Sequence, residues 1–169
     1  MIFVIGTYKE NGRIVALKLY NRETKELGMY HKRKVFKAIQ TTGIQIAGID
    51  SKSDPDNPGQ KMLCMSNWSI YHTKSLDQLD SAGNPLDDKH VRVVISTKGF
   101  GETMQVTLVD SMGHEEVISY NEMIELMQQK KITGVHKNVD RIIFNKWCKH
   151  QGIAYNTQDI KMNEVLAPT

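Results

Sequence analysis

The stretch QVTLVDSMGHEEVISYNEMIELMQQKKITGVH, Gln105 to His136, carries the clearest fold signal in the chain. It reads as a strand, a turn, a second strand, a helix and a third strand. Ser119 followed by Glu122 is a capping box, in which the serine oxygen accepts from the amide three residues on and the glutamate reaches back. Tyr120, Met123, Ile124 and Met127 then recur at helical spacing and predict a buried stripe, with methionine as adaptable packing.

A fainter copy opens the chain. Ile2 to Tyr8 predicts a first strand. Asn11-Gly12 is a strong short hairpin signal, because a type I′ turn needs positive φ at both central positions. Val15, Leu17 and Leu19 alternate along a second strand, Arg13 to Tyr20. A turn at residues 21–24 leads to a short strand, Glu26 to Tyr30. Val35, Phe36, Ala38 and Ile39 predict a short helix that Gly43 terminates. Ile44-Gln45-Ile46 reads as a closing strand.

Displaced by 89 positions, Val4 meets Val93, Ile5 meets Val94, Gly12 meets Gly101, Leu17 meets Val106 and Leu19 meets Leu108. Beyond the next turn the displacement is 88: Val35 meets Met123, Ile39 meets Met127 and Ile44 meets Ile132. The expectation is a tandem duplication with one residue deleted in a surface turn. The fold class expected is α+β, two tandem hairpin, strand, helix and strand units whose antiparallel sheets are covered by the short helices. The units run 1–50 and 91–137.

Between them, residues 51–90 form a connector. SKSDPDNPGQ is a loop by composition, whereas Met62, Leu63, Met65, Trp68, Ile70 and Tyr71 predict ordered strand. Residues 138–169 suit a helix capped near Asn138, although Ile142-Ile143-Phe144 reads equally as a strand, and then fray from Met162.

With 169 residues, 40% hydrophobic and 24% charged, the chain has the composition of a globular protein rather than a disordered one. No apolar run approaches the roughly 18–20 residues that span a bilayer, and no signal peptide is read at the N-terminus. A cytoplasmic protein without a membrane partner is expected, with Cys64 and Cys148 as free thiols. Each unit is small to stand alone, which leaves a homo-oligomer open.

Net charge is only +3, but its distribution is uneven. Lys32, Arg33, Lys34 and Lys37 follow His31 with no acid among them. Arg141, Lys146 and Lys149 crowd a second stretch, and the connector from Asp77 to Asp88 is acidic. His31 to Lys34 occupy the cap and first turn of the first helix, where cations oppose the macrodipole yet strengthen an anion site. The second stretch interleaves Phe144 and Trp147 with its cations, a pattern that stacks bases when exposed and is core when the segment is helical.

No catalytic motif is present. His114-Glu115 lacks the second histidine of a zinc-protease helix, and Lys98 to Gly101 is too short for a phosphate loop. His136, Cys148 and His150 offer one visible ligand pair where a structural zinc wants four ligands. No cofactor is expected.

VTLVDSMGHEEVISYNEMIELMQQKKITGVHKN resembles a recurrent pattern in uncharacterised small proteins of phages and plasmids of Gram-positive bacteria: a strand ending Leu-Val-Asp, a glycine turn, a short helix, then a Lys-Ile strand. The resemblance implies a bacterial host cell and raises host interaction as a role. The expected function is a non-enzymatic binding protein that contacts a nucleic acid or nucleotide phosphate through His31, Lys32, Arg33, Lys34, Lys37, Arg141, Lys146 and Lys149. The alternative is a protein–protein module that modulates a host defence protein.

Overall fold

The computed structural model describes residues 1–65, 73–75, 91–152 and 160–165. Strands β1 (Ile2–Glu10) and β2 (Arg13–Asn21) form the expected hairpin, with Asn11 at φ 52° and Gly12 at φ 78°. β3 (Glu26–His31) adds antiparallel to β2. Helix α1 (Lys32–Thr42) follows at once. It ends where Gly43 turns left-handed, at φ 71°, and its N–H bonds the Ile39 carbonyl at 2.9 Å. β4 (Ile46–Ala47) then returns beside Ile2 and Phe3, so the strand order is β3-β2-β1-β4.

β5 (Ile49–Ser53) and β6 (Lys61–Met65) make an antiparallel hairpin. Its loop is fixed by Asp54, which is buried. One oxygen accepts from the Asp56 amide at 2.9 Å and the other from the Asn57 side chain at 2.9 Å. β7 (Thr73–Ser75) lies parallel to β1 at Thr7 to Lys9.

The second sheet is built from β8 (Val93–Lys98), β9 (Gln105–Val109), β10 (Glu115–Ser119) and β11 (Gly134–Val135), in the order β10-β9-β8-β11. Helix α2 (Tyr120–Gln128) sits between β10 and β11, and helix α3 (Arg141–Gln151) follows β11. The chain ends its described course in β12 (Ile160–Val165), which pairs with β6.

The architecture is therefore α+β with mainly antiparallel sheets. Two expectations need correction. The closing strands β4 and β11 pair parallel to β1 and β8, because each follows a helix that carries the chain back along the sheet. Met162 to Val165 belong to a strand rather than a frayed end. Trp68, Ile70, Tyr71 and the acidic stretch Asp77 to Asp88 lie outside the described residues.

The two central strands are buried on both faces, which is why IFVIG and VVI read as unbroken apolar runs. Phe3 and Ile5 of β1 pack in one cluster with Val93, Ile95 and Val109 of the second sheet. Their neighbours Val4 and Val94 turn the other way and join Val35, Phe36, Met123, Met127, Ile143 and Trp147 under the helices. Both clusters draw on both sheets, so the two make one continuous core.

Candidate functional site

The first cationic segment begins at an unusual cap. His31 is the N-cap of α1, and its Nδ1 accepts from the Arg33 amide at 3.2 Å. Arg33, Lys34 and Lys37 are exposed, and Lys34 Nζ lies 5.7 Å from the centre of the Tyr30 ring. Lys32 does not belong with them. It is 6% exposed, because position 32 shares the stripe of Val35, Phe36 and Ile39 that faces the sheet. It is therefore corrected from the expected surface contacts.

The second segment is helix α3, capped by Asp140 rather than Asn138. The Asp140 carboxylate accepts from the amides of Ile142 at 3.0 Å and Ile143 at 3.1 Å. Arg141, Lys146 and Lys149 are exposed. Phe144 and Trp147 are buried at 4% and 0% exposure, and the Trp147 indole N–H donates to the Ile132 carbonyl at 2.8 Å. These aromatics are core and stack no base.

Neither helix contains an acid along its length: α1 reads KRKVFKAIQTT and α3 reads RIIFNKWCKHQ. Among the described residues, Arg33, Lys34, Lys37, Arg141, Lys146 and Lys149 make no ion pair. The two sets sit on separate helices with separate supports. α1 packs on β2 and β3, whereas α3 packs on α2 and β11.

A cavity of about 840 Å³ opens beside the C-terminal end of α1. Ile44 gives it exposed apolar surface, and Gln45, Gln60 and Asn138 are among its polar lining residues. Its one carboxylate, Asp50, is paired with Lys137 at 2.8 Å. Nothing in the sequence announces this cavity, because its walls come from segments nearly a hundred positions apart.

The other concentration of charge joins the two sheets. Glu115, at the start of β10, receives Tyr20 Oη at 2.5 Å, Arg22 Nε at 3.2 Å and Lys25 Nζ at 2.7 Å. Burial works against its charged form, but hydrogen bonds from Lys25, Tyr20 and Arg22 prevail and hold the carboxyl down at about 2. Three donors from the first sheet and its following turn thus fasten Glu115 to them.

His136 is 1% exposed and lies 5.5 Å, ring centre to ring centre, from Phe3. Burial pushes its imidazole down to about 3, against a smaller raising effect from the Val4 backbone. Burial also pushes the Cys148 thiol up to about 11, which removes the thiolate that metal binding or nucleophilic attack needs. Among the described residues no three His, Cys, Asp or Glu side chains gather as a metal site, and no helix is long and apolar enough to cross a membrane.

No family model, curated protein or solved structure matches this chain.

Proposed function

We propose that the protein is a non-enzymatic nucleic-acid-binding protein whose principal contact is the exposed cationic face of α1, Arg33, Lys34 and Lys37, with Arg141, Lys146 and Lys149 of α3 as a second. One observation carries this reading: exposed cations on two acid-free helices, none of them neutralised by a carboxylate among the described residues. Such charges release condensed counterions when they meet phosphates, and that release drives binding without base contacts. The likeness to phage and plasmid proteins fits a setting where foreign and host nucleic acids meet.

The reading includes a tandem duplication, and the duplication sharpens it. Strand order and element order are the same in both sheets. The ladders refine the displacement to 90 in the first strand, where a bulge falls between Val4 and Gly6 and again between Val94 and Ser96. Val4, Ile5 and Thr7 then meet Val94, Ile95 and Thr97. Tyr30 opposite Leu17 corresponds to Ile118 opposite Val106, a displacement of 88 in the third strand. The caps His31 and Ser119 correspond, yet α2 carries Glu122 in its first turn where α1 carries only cations. On this reading two copies of one scaffold differ in charge where a ligand would be chosen.

Retention of a labelled oligonucleotide at low salt by the wild type, and its loss in the Arg33→Ala, Lys34→Ala, Lys37→Ala triple variant, tests the reading. An absence of binding at low salt contradicts it.

A further inference from the structure

The cavity at the end of α1 has a lining that specifies what it accepts. No lysine or arginine lines it, and its single carboxylate is already paired with Lys137 at 2.8 Å. The Met1 ammonium at its edge is likewise engaged, by Glu23 at 3.2 Å, so a phosphate placed inside would have to compete for its cation. An uncharged group is the better match, provided it presents both donors and acceptors, because each carboxamide of Gln45, Gln60 and Asn138 offers one edge of each kind. Ile44, 39% exposed, supplies apolar wall for a flat ring. The volume of about 840 Å³ falls among sites that hold small organic molecules rather than ions.

Its position relative to the cations is the second observation. Arg33, Lys37 and Gln40 stand at i, i+4 and i+7 and share one stripe of α1. Gln40 lines the cavity, so the stripe runs from exposed charge to the cavity mouth within roughly 10 Å of helix axis. The opposite rim is held by the Asp54 loop, whose carboxylate fixes Asp56 and Asn57 and sets Gly59 and Gln60 in place before any ligand arrives.

We infer that this cavity receives an unpaired heterocyclic base of a single-stranded nucleic acid, whose phosphates run along Arg33 and Lys37. The inference rests on the nucleic-acid reading above and narrows it: the ligand is single-stranded, and at least one nucleotide is turned out of any stack. Hydrogen bonds to the base edge come from the carboxamides, while the duplex, whose bases are inward, engages only the cations.

The test compares a labelled single strand with its duplex on the full chain at one salt concentration, by fluorescence anisotropy. Two cavity-filling variants on different elements, Gln45→Trp and Ser51→Tyr, are checked for native circular dichroism and then titrated. The expected result is tighter binding of the single strand, weakened by about tenfold in the filled variants, the scale of one recognised base, with duplex binding unchanged. A parallel titration with free nucleosides, followed by amide NMR, is expected to shift the amides of Gln45, Ser51, Gly59 and Gln60. Equal affinity for single strand and duplex, untouched by either variant, with amides unmoved by nucleosides, overturns the cavity inference and leaves the cationic reading standing. Failure of both nucleic acids to bind overturns both.

Discussion

The Tyr20 hydroxyl donates to the Glu115 carboxylate at 2.5 Å across 95 positions of the chain. Around the same carboxylate, Lys25 at 2.7 Å and Arg22 at 3.2 Å complete a three-donor fastening between the first sheet and the second. Lys25 reaches it from a left-handed backbone, φ 63°, at the end of a turn in which the Asn21 side chain accepts from the amides of Glu23 and Thr24. The apolar contact between the sheets is non-directional, whereas this cluster fixes how one lies on the other.

Glu115→Gln keeps the shape and removes the charge. It is expected to destabilise the protein by roughly 1–2 kcal/mol in urea unfolding, because charge-assisted bonds to three donors weaken together. In a double-mutant cycle, Tyr20→Phe and Glu115→Gln should be non-additive. Additive losses would show that the bond contributes nothing of its own.

Acid sensitivity separates two groups. The imidazole of His136 is held at about 3 against an ordinary 6.5, so the unfolded chain takes up a proton that the native state refuses. Its contribution is present above 6.5 and is lost as pH falls toward 3, at about 1.4 kcal/mol per pH unit where the difference is one full proton. Glu115, held at about 2 against 4.5, loses its contribution lower, as pH falls from 4.5 to 2. His136→Gln should flatten the stability profile between pH 6.5 and 4.5, above the range of Glu115. An unchanged slope in urea midpoints across that range would rule out the neutral buried imidazole.

Capping gives a matched pair of substitutions. His31→Ala and Ser119→Ala each remove one side-chain acceptor from a helix amide, and each is expected to cost about 1 kcal/mol. His31→Asn should restore the loss at the first cap. A His31→Ala protein as stable as wild type would contradict the capping role.

Trp147→Phe leaves the Ile132 carbonyl without its 2.8 Å donor and a gap in the fully buried core. The expected destabilisation is about 2–4 kcal/mol by thermal or chemical denaturation. A loss below about 0.5 kcal/mol, the scale of a surface change, would place the indole outside the core.

What the residues disclosed in advance was local. Asn11-Gly12 specified its turn by φ, Ser119 its cap by side-chain chemistry, and Val35-Phe36 a buried stripe by period. The burial of Lys32 was also periodic: it lies three and four positions before Val35 and Phe36 and so falls on the covered stripe. Glu115 and the cavity beside α1 were not legible. Glu115 gains its meaning from Tyr20, Arg22 and Lys25, about 90 positions away, and the cavity from Gln45, Gln60 and Asn138. No period or local motif connects such residues; only the packing of one sheet on the other does.

The most direct measurement is the salt dependence of oligonucleotide binding by the wild type and by the Arg33→Ala, Lys34→Ala, Lys37→Ala variant. A single-stranded ligand titrated between about 50 and 200 mM salt should give a steep negative slope of log K against log salt, shallower in the variant by about 2, since each lost phosphate contact removes roughly 0.7. The same slope and affinity in both proteins, or no binding by the wild type at the lowest salt, would contradict a nucleic-acid contact on α1.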